Sequence, residues 1–459
     1  MPASLTASAP LRRAESAGTE PQLNIDAGRI DAEFARYDRA DTPGCAVGVV
    51  VEGELEFSGY YGMAHLDYGI PLSAESRLMV GSVAKQFTAA AVLLLAQQGE
   101  IDLETDIREY LPELPDLAAR GAHERPVTVG SLIHHTSGVR DLIHLLHIEG
   151  RGLDPVTDDA RIMRMLRNQQ GLSFDPGARY AYSNTGYILL AKLVEEVSGK
   201  TLREFAAEYL FEPSGMESTH VHDDPGLIVP NRSMSYLPLD SDRGGARFGE
   251  FYRNHVTWIG ARGLFTTLED LARWERNHYD NRTPIDGFAE NMRRIARSHA
   301  GGRINYAAGL FVGSYKGLET VGHDGNYMGF RSHYQRFPVH DTTIIVLCNS
   351  AHIDPTRHMR RVADIVFEEV FEQELSEFVG VYEEEAFGVR FEIVMEAGAL
   401  YLERPRSSRV RLDWHGGSRF SLNRWSVSFE DDDDGASKRM LIRTESAGTR
   451  RFERVEPSE

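Results

Sequence analysis

From Gly81 the chain reads GSVAKQFTAAAVLLLAQQGEI, and between Val83 and Ala96 nearly every residue is apolar or small. A helix that is apolar all round is buried on every side. This segment must therefore run through the centre of the fold, with the remaining elements packed around it. One residue resists that reading. Lysine is almost never fully buried without a partner, yet Lys85 stands at the head of the run. The chain holds 5 lysines against 45 arginines, so arginine supplies positive charge almost everywhere else. A buried lysine can give up its proton and an arginine cannot. Lys85 therefore reads as a titrating base, and Ser82, one turn earlier on the same helix face, as the hydroxyl it serves.

Around this helix the pattern changes several times. Ile30, Phe34 and Tyr37 mark a first amphipathic helix, and CAVGVVVEGELEFSGYYG predicts two strands with a tight turn at Glu52-Gly53. Helical periodicity dominates from about Leu103 to Leu210, through VTVGSLIHHTSGVRD, IMRMLRNQQ and GYILLAKLVEEVSGKTLREFAAEYL. In TTLEDLARWERNHY, Thr267 precedes Asp270 at capping-box spacing. AAGLFVG, FRSHYQRFP and TTIIVLCNS predict strands, and HMRRVADIVFEEVFEQ a helix that closes this unit near residue 373. Beyond it VRFEIVME, ALYLERP, RFSLNRWSVSFE and KRMLIRTE alternate apolar and polar residues, as half-buried strands do. The expected division is an unstructured segment over 1–22, a mixed α/β domain over 23–373, and a small antiparallel β-barrel or sandwich over 374–459.

Three short stretches can carry chemistry. Ser82 sits near a helix start, where the dipole favours a developing negative charge, and burial lowers the pKa of its neighbour Lys85. Tyr182-Ser183-Asn184 stands just before an apolar helix, so Tyr182 can relay a proton while Asn184 positions the lysine and a substrate carbonyl. Its plainer reading is a loop tyrosine and a helix-capping asparagine. In VGHDGNYMGFRSHYQRF, His323 can hydrogen-bond or protonate, and Gly325 allows a substrate backbone to approach closely. The N–H of Asn326, with that of Ser82, can form an oxyanion hole. The plainer reading there is a turn histidine.

Taken in order, Ser82-x-x-Lys85, Tyr182-x-Asn184 and His323-x-Gly325 resemble the serine β-lactamase and penicillin-binding-protein superfamily. The branch most similar is the class C β-lactamase-like serine hydrolases, which include D-aminopeptidases, DD-peptidases and esterases. LIHHTSGVRD, LFEPSGMESTH and GARGLFTTLEDLARW are similar to family landmarks, and the resemblance covers about residues 25 to 370. It implies an antiparallel sheet flanked by helices, with an all-helical subdomain. The β appendage resembles the lipocalin-like C-terminal domains of D-aminopeptidase-like members. The resemblance further implies that Ser82 forms an acyl-enzyme, that Lys85 and Tyr182 share base and acid work, and that Asn184 positions. His323 stands where many relatives carry the lysine of Lys-Thr-Gly, which argues against efficient β-lactamase activity. Asp324, if it faces the pocket, repels substrate carboxylates and favours esters, amides or amine-bearing substrates.

The remaining composition narrows the alternatives. A net charge of −19 gives no support to nucleic-acid binding. Cys45 and Cys348 each lie in an apolar run and read as small core residues, with a disulfide framework not expected. No signal-like apolar segment opens the chain and no stretch is long enough for a membrane helix, so a cytoplasmic protein without membrane partners is expected. His220-Val221-His222-Asp223 lacks a third histidine nearby, so neither metal nor other cofactor is expected. No G-x-S-x-G elbow is present. A peptide cyclase or transacylase on the same machinery remains open, as does a weak β-lactamase. A non-catalytic binding protein has no use for a buried lysine. The expected partner is a small-molecule or peptide substrate.

Overall fold

Two consecutive apolar runs begin the central sheet. They pair as antiparallel strands Cys45–Val51 and Glu54–Tyr61. Glu52 and Gly53 both take positive φ, 50° and 81°, as a two-residue hairpin turn requires. The structure, a computed structural model, describes residues 23–120, 125–148, 150, 159–240, 247–250, 258–396, 398–404, 409–431, 438–446 and 448–456. The segment 1–22 and most of the acidic run after Glu430 lie outside the described residues.

The chain divides into two compact units. One comprises Ile25–Val366 with Trp414–Ser421, and the other is built from Phe367–Asp413 and Leu422–Glu459. In the first, six antiparallel strands follow the order Phe311–Tyr315, Leu318–Tyr327, Phe330–Phe337, Thr342–Cys348, Cys45–Val51, Glu54–Tyr61. The adjacent interior strands Thr342–Cys348 and Cys45–Val51 carry almost unbroken apolar runs because both sheet faces are covered. Ala46, Val50, Ile345 and Leu347 belong to the buried cluster that contains the apolar helix and Leu268. Val47, Val49, Ile344 and Val346 alternate to the opposite face. There the helix Pro355–Val366 packs on Thr342–Cys348 and against the helix Ala27–Phe34.

Cys45 and Cys348 stand opposite each other in register, with Cα atoms 4.1 Å apart, and are joined by a disulfide. This corrects the expectation of two unlinked core cysteines, although both are indeed buried. Their sequence separation of 303 hides a pairing that only strand register creates. Closing so long a loop restricts the unfolded chain by roughly 5 kcal/mol in the chain-entropy model. Replacing both cysteines by alanine is expected to lower unfolding stability by about 2–5 kcal/mol. Denaturant melts with and without reductant check this, and a wild-type melt indifferent to reductant contradicts it.

The apolar segment opens as a 3₁₀ turn, Gly81–Ala84, before the α-helix Lys85–Gln97 begins. The helix Asn184–Ser198 packs beside it and ends at Gly199 in the left-handed conformation. Thr267 caps the helix Leu268–Glu275 by accepting from the Asp270 N–H, but the capping box is only half made. The Asp270 carboxylate instead takes the Ser218 N–H, the Thr219 hydroxyl and Arg273. Leu318–Tyr327 is a strand that the sequence reading did not predict. Gly, Asp and Asn are poor strand formers, and VGHDGNY is rich in them, so His323 reads as a turn residue when it is a strand residue.

The strands from Gly380 to Val455 form one nine-stranded antiparallel sheet, whose edge strands Val410–Arg411 and Asp413–Trp414 are neighbours in sequence. The sheet thereby closes almost into a barrel. Tyr382, Ile393, Leu402, Val427, Phe429, Met440 and Phe452 fill its interior.

Candidate active site

The sheet and the apolar helix meet at two glycines. A Cβ on Gly325 would lie 2.0 Å from the Val80 carbonyl oxygen, and one on Gly81 would lie 2.7 Å from the Asn326 nitrogen. Gly81 also has φ of 54°, which favours glycine. The Ser332 hydroxyl donates to the Val80 carbonyl at 2.7 Å and closes the contact. What approaches Gly325 is thus the chain's own Ser82 turn. The same contact brings the Asn326 backbone beside that turn.

Ser82 is half-buried, and Lys85 directly behind it is 0% exposed. The Lys85 ammonium nitrogen has three oxygen neighbours: Ser82 Oγ at 3.0 Å, Asn184 Oδ1 at 2.9 Å and the Ala261 carbonyl at 2.9 Å. Asn184 is oriented by Asp141, whose Oδ2 accepts from the Asn184 backbone N–H at 2.5 Å and from Nδ2 at 2.9 Å. Asn184 Oδ1 and the Ala261 carbonyl can only accept, so they take two N–H groups of Lys85. A neutral amine has two N–H groups, and its lone pair is then left facing Ser82.

Electrostatics favour that neutral form. Burial lowers the Lys85 pKa to about 7; Asp141 and Asp324 raise it against that trend, while Arg262 lowers it further. The Tyr182 hydroxyl donates to Ser82 Oγ at 2.9 Å, and burial pushes its own pKa well up, so it stays a phenol. His323, packed beside the Tyr182 and Phe311 rings, is lowered to about 3, by burial first and by Lys85 second. It is a neutral imidazole rather than a proton donor by charge. Its Nδ1 lies 2.5 Å from the Asp324 carbonyl oxygen, while Nε2 is buried with no hydrogen-bond partner among the described residues.

The structure therefore brings Ser82, Lys85, Tyr182 and Asn184 into one hydrogen-bonded group and sets the His323 ring against it. Asp324 and Asn326 are exposed and alternate to the sheet side opposite His323. Asp324 reaches the group through its charge, which raises the pKa values of Lys85, Tyr180 and Tyr182. Three contributors went unrecognised in the sequence. Asp141 closes the landmark LIHHTSGVRD and was legible as a neighbour of that motif. His135 packs its ring 4.4 Å from that of Tyr182, and nothing in its local pattern signals this. The Ala261 carbonyl is backbone and leaves no side-chain signature.

Replacing Asp141 by alanine is expected to cost roughly 10²-fold in turnover, the price of a loosened Asn184. Because Asp141 raises the Lys85 pKa, its loss also moves the acidic limb of the rate profile to lower pH. A pH–rate comparison of the two proteins checks both effects. A fall in turnover with an unmoved limb leaves Asp141 a merely structural residue.

A family model described as Beta-lactamase matches residues 30–367. The D-aminopeptidase of Brucella anthropi is 30% identical over 290 residues, 63% of this chain and 52% of that protein. That of Gluconobacter oxydans (strain 621H) is 26% identical over 311 residues, 67% of this chain and 56% of its own length. The chain spans about half the length of the curated relatives it matches. Among solved structures, the octameric penicillin-binding protein homologue from Pyrococcus abyssi superposes with a TM-score of 0.64 at 20% identity, covering 94% of this chain and 100% of that one. The D-amino acid amidase from Ochrobactrum anthropi SV3 gives a TM-score of 0.59 at 20% identity, over 76% of this chain and 99% of its own. These two likenesses show the fold, and the family match runs over both the sheet and the helices that meet at Ser82. The chain belongs to the Beta-lactamase family.

Proposed function

We propose that this protein is a serine hydrolase that cleaves amide bonds, and activated esters, through an acyl-enzyme on Ser82. One observation carries the reading: Lys85, lowered to about 7 by burial, has Ser82 Oγ as its one hydroxyl neighbour among the described residues, at 3.0 Å. Ser82 Oγ attacks the carbonyl carbon while its proton passes to the Lys85 amine. The carbonyl oxygen becomes an oxyanion, for which the Ser82 and Asn326 N–H groups are the proposed donors, backed by Gly325. On collapse the C–N bond breaks, and the leaving amine takes a proton from Tyr182, which Lys85 replenishes. Water then repeats the sequence on the ester and frees the acid. His323 acts as a neutral acceptor at the side of this path.

The substrate class follows from the relatives and from charge. D-Aminopeptidase and D-amino acid amidase relatives support amides of D-amino acids or short peptides. Asp324 alternates to the sheet side opposite His323 and so does not line the pocket; only its charge, felt at Lys85, favours an ammonium-bearing or neutral substrate over a carboxylate-bearing one. Residues 23–373 form the catalytic domain in this reading, and 374–459 a separate β domain. Among the described residues no helix is long and apolar enough to cross a membrane. A disulfide between the central strands fits an oxidising compartment better than the cytoplasm expected from the N-terminal sequence.

Intact-protein mass after mixing with a D-amino-acid amide, its L-enantiomer, a short activated ester and a penicillin tests the proposal. Transient mass gain and product release are expected with the amide and the ester. A chain that gains no mass and releases no product from any of them is no hydrolase of this class. Added amine that diverts product into a new amide favours the transacylase reading.

A further inference from the structure

Arg262 enters the chemistry above only through its charge on Lys85, and its surroundings are unusual. It is 7% exposed, with its guanidinium carbon 3.4 Å from the centroid of the Trp258 ring and 4.2 Å from that of Tyr327. Two aromatic faces cover it, so its donors are left at the edge of the guanidinium. Nη1 and Nη2 have no acceptor among the described residues, and neither does the buried Nε1 of Trp258. Burial lowers the Arg262 pKa to about 10, with Tyr327 acting against it, so the group remains a cation at neutral pH. A desolvated cation with unpartnered donors is strongly unfavourable. Arg262 also lines a small cavity with Ala84, Phe87, Thr88, Val221 and Leu264, and no other charged residue lines it. The Thr88 hydroxyl is already committed to the Gly260 carbonyl, at 2.8 Å.

We infer that this cavity is a binding site for a small monovalent anion, a halide or formate, received by the guanidinium edge of Arg262. The single cation in the lining balances one negative charge and leaves a dianion half-neutralised. With room of about 10 Å³ the cavity excludes longer acids. The site adjoins Ala84, next to Lys85 in sequence. Of the charges that act on Lys85, Asp141 and Asp324 favour its protonation and Arg262 opposes it. A bound anion offsets Arg262 and slows acylation at fixed neutral pH. This second consequence rests on the hydrolase reading, whereas the binding itself does not.

The test is thermal unfolding of the full chain at pH 7 and constant ionic strength, with sodium chloride or sodium formate replacing sodium gluconate, an anion too large for the cavity. Wild type is expected to show a saturable rise in Tm of about 3 °C, and Arg262→Met no rise. Equal shifts in both proteins, or no saturable shift in wild type, overturn the site. Should Arg262→Met fail to fold, Arg262→Lys takes its place: it keeps the charge without the planar fork and is expected to bind at least about tenfold more weakly. Unchanged affinity in that variant overturns the assignment to Arg262. In wild type that hydrolyses an ester, chloride is expected to slow acylation about twofold at saturation. Acylation indifferent to chloride, beside an intact Tm response, overturns the link to Lys85 and leaves the site standing.

Discussion

Ser82→Ala is expected to abolish every covalent adduct and to lower turnover by about 10⁴-fold or more. Among the described residues no other hydroxyl hydrogen-bonds Lys85 Nζ, and Tyr182 donates to the same Ser82 oxygen. With the oxygen gone, the lysine lone pair and the tyrosine proton face an alanine methyl. Fold and melting temperature should hardly change, because Lys85 keeps two acceptors and the one donor that loses its acceptor, the Tyr182 hydroxyl, belongs like Ser82 to a half-buried residue. Intact mass and single-turnover rates on the same substrate measure the effect. An adduct that persists in Ser82→Ala places the nucleophile elsewhere and removes the basis of the mechanism.

The second large effect concerns pH. The acylation rate is expected to rise about tenfold per unit below pH 7 and to level off above it, because the neutral fraction of Lys85 rises through its pKa of about 7. Tyr182→Phe should keep that limb in place while losing roughly 10²–10³-fold in rate, since the phenol acts as an acid and its own pKa lies far above the working range. Lys85→Met should lose the limb together with most of the rate. A limb that survives in Lys85→Met shows that another group is the base.

The same shift acts on stability. The folded pKa of Lys85, about 7, lies below its ordinary value of 10.5. Below pH 7 both states are protonated, so folding bears the full cost of burying the charge. Between 7 and 10.5 the unfolded chain holds the extra proton, so stability rises with pH, and above 10.5 the gain is complete. The span is on the order of 5 kcal/mol. Denaturant melts of wild type and Lys85→Met across this window should differ in slope, with the wild-type curve the steeper. Parallel curves mean that Lys85 is not depressed.

Much of this site was legible in the linear chain because its evidence is local. A lysine in an apolar helical run is anomalous without any partner being known. Ser82 and Lys85 share a face through helix geometry alone. Tyr182 and Asn184, which by themselves read more plainly as a loop tyrosine and a capping asparagine, gain their roles only in company with Ser82-x-x-Lys85 and His323-x-Gly325. The hairpin at Glu52-Gly53 and the alternating strands after residue 388 were legible for the same reason, since turn chemistry and period-two burial are properties of neighbouring residues.

What the tertiary structure decided is everything that depends on register and on distant surfaces meeting. Leu318–Tyr327 is a strand despite its glycines, because Phe311–Tyr315 and Phe330–Phe337 pair with both its edges. Gly325 serves the Val80 carbonyl, and only the docking of the Ser82 turn on that strand reveals it. Cys45 and Cys348 become a disulfide because two central strands align end to end, across 303 residues of chain. The Ala261 carbonyl and the Asp141 carboxylate complete the Lys85 environment from loops remote in sequence. A sequence shows which residue needs a partner. The partner comes from whichever backbone the packed core holds within hydrogen-bond reach, and that is settled only when the helices and the sheet close on each other.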